Sequence, residues 1–178
     1  MNSSKQVIYG SANSSVTIYG VAPQYETINN TPVTNGTFIT ESAYTNREKV
    51  AVIGPTVVTN LFSGEDPIGK TIRIGNVLFT VIGITKTKGT SGFNDPDNAI
   101  YVPLTTAQIS LLGSNYLSNI NVQIDSEQNM DAAKEAINTT LLGALKITDA
   151  SKANFTISSQ ADTLDTLSSI TTTLKTFL

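Results

Sequence analysis

The sequence predicts an α+β fold, and three sets of residues carry that prediction. Thr71-Ile72-Arg73-Ile74 and the run Val77 to Ile84 flank the two-residue turn Gly75-Asn76, a β-hairpin signal. Asn129 to Leu145 brings Ala133, Ala136, Ile137, Leu141, Ala144 and Leu145 to one face at helical spacing. Short apolar runs bounded by breakers, Lys49 to Ile53 and Ala99 to Val102, read as further strands. At 178 residues the chain suits one domain or two small units.

Taken in order, Lys5 to Gly10 and Val16 to Gly20 are expected as paired strands around Ser11-Ala12-Asn13-Ser14. Pro23 to Ile28 supplies one or two helical turns, and Thr40 caps a short helix through Tyr44. Pro55 suits the first turn of a helix through Phe62, with Val57, Val58, Leu61 and Phe62 on one face. Lys86 to Asn98 is a long polar loop. Pro103 ends the strand at Val102, and Thr105 caps a helix to about Leu112. Ser118 to Ile124 reads as a strand, as does Phe155-Thr156-Ile157, so 118–158 has the size of a βαβ unit. Ser159 and Asp162 form a capping box that opens a last helix. Its apolar stripe is Leu164, Leu167, Ile170, Leu174 and Phe177, and with no stop signal before Leu178 it is expected to run on past that residue.

Composition narrows the function. Hydrophobic residues make up 39%, enough for a packed core, while charged residues are 14% against the ~25% usual for globular domains. Thr, Ser and Asn supply the remaining polarity. A net charge of −3 leaves no basic footprint, so nucleic acid is excluded as a partner. The chain has no cysteine and no histidine, which removes Cys nucleophiles, His-based triads and thiolate or imidazole zinc sites. Met1-Asn2-Ser3-Ser4 carries no signal-peptide pattern, and no run reaches the ~18 to 20 apolar residues of a membrane helix.

One motif asks for a decision. Gly64 to Thr71 satisfies the phosphate-loop pattern G-x-x-x-x-G-K-[ST]. A working phosphate loop follows a buried strand and opens a helix whose N-terminus faces the anion. Here a helix precedes the motif and a strand follows it. Glu65 and Asp66 would also set two carboxylates beside the phosphates, and no Walker-B-like run follows. The match is judged accidental, and Asp66 is expected to accept backbone hydrogen bonds within the turn.

Other candidates are weaker. Asp95, Asp97 and Asn98 offer oxygen ligands, but the EF-hand offsets are missing, so a solvated turn is expected there. Asp95 with Asp97, and Asp125 with Glu127, are the close carboxylate pairs, and nothing in the sequence places either in a cleft. Asn2, Asn13, Asn29, Asn35, Asn138 and Asn154 lie in N-x-[ST] sequons that a chain rich in these residues makes by chance. Lys86 and Lys88 form a small basic spot on a loop. No catalytic, cofactor-binding or metal-binding residue is assigned, and no cofactor is expected.

Four blocks together resemble a known family. They are Val50-Ala51-Val52-Ile53-Gly54, the run Asn60 to Ile74 containing Gly64-Glu65-Asp66-Pro67-Ile68-Gly69-Lys70-Thr71, Phe79-Thr80-Val81-Ile82-Gly83-Ile84, and Ala99 to Ala107 containing Tyr101-Val102-Pro103-Leu104. Weaker agreement extends to Ile18-Tyr19-Gly20-Val21 and Tyr25, and to the helix from Leu164. In order and spacing they resemble the extracytoplasmic domain of MacB-type ABC transporter permeases. The resemblance implies two lobes: a porter-like lobe of βαβ units, at 1–46 and 115–162, and a smaller strand-rich inserted lobe at 47–114. Residues 163–178 would form a stalk helix leading to a membrane helix.

It further implies a non-enzymatic domain on the outer side of the cell membrane, itself free of membrane helices. The domain would dock a membrane-fusion adaptor protein and transmit ATP-driven motion, exporting a peptide, antibiotic or lipid-linked cargo. Its other partners would be the ABC ATPase, reached through the full-length permease, and a second permease copy in a homodimer. Two further readings stand beside it. The Thr- and Asn-rich composition suits a secreted or surface adhesin module, and the Gly64–Thr71 match would suit a nucleotide-binding enzyme.

Overall fold

The computed structural model of the chain describes residues 1–89, 95–159, 162, 170 and 171. Contacts divide it into two compact units, Met1–Val122 and Gln123–Leu178.

The first unit is built on one sheet of seven strands: β1 (Asn2–Tyr9), β2 (Ala12–Val21), β3 (Val33–Gly36), β4 (Val50–Ile53), β5 (Thr71–Ile74), β6 (Val77–Thr85) and β7 (Ala99–Pro103). The order is β3-β6-β4-β7-β2-β1-β5, and β5 pairs again with β6. Six strands therefore close into a ring of pairings, with β3 appended to β6. Closure removes most free edges, the usual weakness of small sheets. β2–β7 and β4–β6 are parallel, and the other pairs are antiparallel.

Alternation along the strands explains both cores. Val7, Val16, Ile18, Ala51, Ile53, Ile72, Ile74, Phe79, Val81, Ile100 and Val102 pack together with Val57, Leu61 and Phe62 of helix α3 (Pro55–Phe62). Intervening residues Val52, Ala99 and Tyr101 join a second cluster with Val21, Phe38, Ile39 and Ala43. β4 and β7 are thus covered on both faces, which is why they read as unbroken apolar runs. Burying a side chain the size of Phe79 contributes about 1.5–3 kcal/mol.

Local signals were obeyed where the chain satisfies its own caps and turns. Thr40 accepts a hydrogen bond from the Ala43 N–H at 3.1 Å and caps helix α2 (Glu41–Thr45). Helix α1 (Tyr25–Ile28) and the hairpin at Gly75-Asn76 lie where expected. The N-terminal hairpin is longer and tighter than the sequence suggested, with Tyr9 opposite Ala12 and Gly10 at φ 57°. β3, which the sequence did not announce, meets β6 where Gly83 has no side chain; a Cβ there would lie 2.3 Å from the Thr37 carbonyl oxygen.

Several expectations are corrected. Thr105 is not an N-cap: helix α4 (Leu104–Thr106) starts after Pro103 and continues as a π-helical turn, Ala107–Leu112. The Thr105 hydroxyl donates instead to the Tyr44 carbonyl, and that of Thr106 to the Glu48 carbonyl. The expected strands at Ser118–Ile124 and Phe155–Ile157 are irregular coil with no strand partner among the described residues, and Ile120 and Val122 are exposed. A period-two pattern becomes a strand only beside another strand. Helix α5 (Met130–Ala144) forms as expected, but no residue of it is buried; Ala133, Ile137 and Leu141 are half-buried, and Ala136, Ala144 and the following Leu145 are exposed. β1 and β2 share one sheet with β4 to β7, across the position where a lobe boundary is expected between residues 46 and 47.

In the second unit the expected capping box is made. The Ser159 N–H donates to Asp162 Oδ2 at 2.8 Å, and the Asp162 N–H donates to Ser159 Oγ at 3.2 Å. Lys134 of α5 donates to both Asp162 oxygens, at 2.8 and 2.7 Å. The Lys134 bond and the Ser159 contacts hold the Asp162 carboxyl down at about 2. Of the expected stripe, Ile170 is exposed; Leu164, Leu167, Leu174 and Phe177 lie outside the described residues.

Candidate functional site

The 63–70 turn shows how the phosphate-loop residues are used. Helix α3 ends at Ser63 in the left-handed conformation, φ 49°, and Gly64 follows at φ 96°. The Ile68 N–H donates to Asp66 Oδ1 at 3.0 Å, and the Lys70 N–H to the Pro67 carbonyl at 3.0 Å. The Gly69 N–H donates to the Val81 carbonyl at 2.8 Å, and the Val81 N–H to the Lys70 carbonyl at 2.9 Å. The amides of Ile68, Gly69 and Lys70 are thus occupied, that of Ile68 by Asp66, as expected. The chain then enters β5 rather than a helix, and exposed Lys70 points no helix end at an anion. Glu65 accepts a hydrogen bond from Tyr9 Oη at 3.1 Å, which raises the Tyr9 phenol above its ordinary value, and the Tyr9 ring lies 4.3 Å from that of Phe62. This is a packed, satisfied turn.

The acidic loop differs from its expectation. Asp95 is exposed and caps a short 3-10 turn by accepting the Asn98 N–H at 3.1 Å. Asp97 is not solvated: it is buried, and its two oxygens accept the Lys88 and Gly89 N–H groups at 2.8 and 2.9 Å. Backbone hydrogen bonds make such a burial tolerable for a carboxylate. The sequence carried no signal for it beyond an Asp two residues before an apolar strand. Among the described residues no group of three or more Asp and Glu side chains is placed to hold a metal ion. Asp125 and Glu127 sit on an exposed turn, where Asp125 accepts from Asn129 Nδ2 at 3.0 Å. Lys86 and Lys88 are both exposed, but the Lys88 ammonium is committed to the Asn29 carbonyl and Thr31.

The aromatic residues Tyr19, Tyr25 and Phe38 gather on Tyr101, with ring centroids 5.5, 5.5 and 6.0 Å away. Burial raises the Tyr101 phenol well above its ordinary value and raises that of Tyr25 as well. Among the described residues, the exposed large apolar residues of the first unit include Leu78, Ile109, Tyr116, Leu117, Ile120 and Val122, and those of the second include Leu145 and Ile170. Such surfaces suit contact with other macromolecules better than small-molecule chemistry. A surface depression of about 210 Å³ lies between Lys5, Asn76 and Ser110.

The model of the MacB-like periplasmic core domain matches residues 1–140. The chain belongs to that family. It is 36% identical over 178 residues to the macrolide export ATP-binding/permease protein MacB of Chlorobium luteolum, and 38% identical over the same length to that of Chlorobium phaeobacteroides. In both cases it spans all of this chain and 27% of the relative. The fold agrees with the periplasmic region of MacB from Actinobacillus actinomycetemcomitans: TM-score 0.75, 22% identity, 94% of this chain and 73% of that one. It also agrees with the extracellular domain of the noncanonic ABC-type transporter YknZ: TM-score 0.73, 21% identity, 84% of this chain and 75% of that one. No helix among the described residues is long and apolar enough to cross a membrane.

Proposed function

We propose that this MacB-like periplasmic core domain works as the extracytoplasmic part of an ABC transporter permease. It docks a membrane-fusion adaptor and passes ATP-driven motion outward to expel a peptide, antibiotic or lipid-linked cargo. The family match over residues 1–140 carries the reading. Three features support it: a closed ring of paired strands, exposed apolar side chains suited to protein contacts, and a 63–70 turn in which the Ile68, Gly69 and Lys70 amides are already used. Such a domain contributes binding and mechanical coupling, while nucleotide chemistry belongs to the ATPase of the assembled transporter. The permease acts as a homodimer in this account.

Site-specific photo-crosslinking in the full-length permease tests the docking role. Cross-linkers at exposed Leu78, Ile109 and Tyr116, with the adaptor co-expressed, are expected to trap the adaptor from at least one of them. A complex that co-purifies intact, yet yields no adaptor adduct from any position on this domain, would remove the docking role.

A further inference from the structure

Hydrogen bonds around the β6–β7 connection join into a chain across the first unit. Asp97 clamps the start of the connection by accepting from Lys88 and Gly89 at 2.8 and 2.9 Å. The clamp is backed by Gly54, where a Cβ would stand 2.2 Å from the Asp97 carbonyl oxygen. Lys88 Nζ then donates to the Asn29 carbonyl at 2.8 Å and to Thr31 Oγ1 at 3.1 Å. Thr31 is buried, and its hydroxyl donates to the same Asn29 carbonyl at 3.2 Å. Finally Asn29 Oδ1 accepts from Asn121 Nδ2 at 2.8 Å, while Asn29 Nδ2 donates to the Tyr25 carbonyl at 3.4 Å.

Asn121 stands next to Val122, the last residue of the first compact unit. We propose that the chain Asp97–Lys88–Asn29–Asn121 is an anchor fixing the point at which the polypeptide leaves that unit. Residues 114–122 lie in no helix or strand, and Tyr116, Leu117, Ile120 and Val122 are exposed, so apolar packing does not hold the segment. An isolated bond between exposed amides is weak because water competes for both groups. Here the accepting residue is held through its carbonyl and through its amide nitrogen, so little freedom remains to be lost when Asn121 binds. Any part such an anchored exit plays in passing on motion rests on the transmission role above. The anchor itself does not depend on that role.

The test uses the absence of cysteine from the chain. A nitroxide on Ser118→Cys in the full chain reports nanosecond mobility beside the anchor, and one on Thr45→Cys serves as control. Asn121→Ala, Asn29→Ala and Lys88→Met are each expected to shorten the rotational correlation time at 118 at least twofold. The control label should be unchanged, and Asn121→Ala combined with Lys88→Met should add nothing further. Asn121 is exposed, so its replacement decides the matter even if a Lys88 variant misfolds. Unchanged mobility at 118 in Asn121→Ala overturns the anchor. So does a folded Lys88→Met variant that leaves the 118 label as it was, since the relay would then stop at Asn29.

Discussion

Replacing Phe79 by alanine is the sharpest test of the closed ring. Phe79 is fully buried, faces the inner cluster and pairs across the hairpin with Ile72. The side chain sits among strands paired on both sides and beneath α3, so the walls have little room to collapse into the space left behind. Truncation of a phenylalanine at such a site costs about 3–5 kcal/mol. Against a total stability of about 5–15 kcal/mol, that is a large share. At about 2–4 °C per kcal/mol, the melting temperature should fall by about 6–20 °C. The assay can be confined to the right unit, because all six tyrosines lie between Tyr9 and Tyr116 and the chain has no tryptophan. Tyrosine near-UV dichroism during urea titration therefore follows Met1–Val122 alone. The midpoint should fall with the slope unchanged. A loss below about 1 kcal/mol would mean that Phe79 does not fill the ring interior, and the register of β5 on β6 would be wrong.

Three other outcomes follow from the same geometry. Lys70→Ala should change stability by less than about 0.5 kcal/mol, and the parent chain should give no heat on calorimetric titration with Mg-ATP; saturable binding abolished by the substitution would restore the phosphate-loop reading. Gly54→Ala should destabilise by about 1–3 kcal/mol because its Cβ would meet the Asp97 carbonyl oxygen, whereas Gly143→Ala, with open space in α5, should stabilise by up to about 1 kcal/mol; equal effects in urea denaturation would contradict the close approach at Gly54. Asp162 has a folded value near 2, below the ordinary 3.8, so its contribution is present above pH 3.8 and is lost as pH falls toward 2. An NMR titration of its carboxyl carbon with a midpoint near 3.8 would show that neither Lys134 nor the Ser159 cap holds it.

What the sequence disclosed was what short stretches decide for themselves. Thr40, Pro55, Gly75-Asn76 and Ser159 with Asp162 act within a few residues, and each formed its expected turn, hairpin or cap. The inward set Ile72, Ile74, Phe79 and Val81 was likewise legible, because period-two alternation needs only one buried face. What was hidden depends on partners distant in the chain. The pairing of β1 with β5, which closes the ring, joins residues 7 and 74, and no local pattern encodes it. β3 is short, polar and bulged, so its pairing is visible only once Gly83 meets Thr37. Ser118–Ile124 carries the alternation of a strand but meets no neighbour among the described residues. The burial of Asp97 could not be foreseen either, since its partners are backbone amides eight and nine residues earlier.

ATP turnover by the full-length permease in lipid nanodiscs, with and without its membrane-fusion adaptor, tests the proposed role most directly. The adaptor should raise turnover in the intact permease, and removal of residues 1–122 should abolish that stimulation while basal turnover persists. Undiminished stimulation of the permease lacking this unit would contradict the account, because docking and coupling would then reside elsewhere in the transporter.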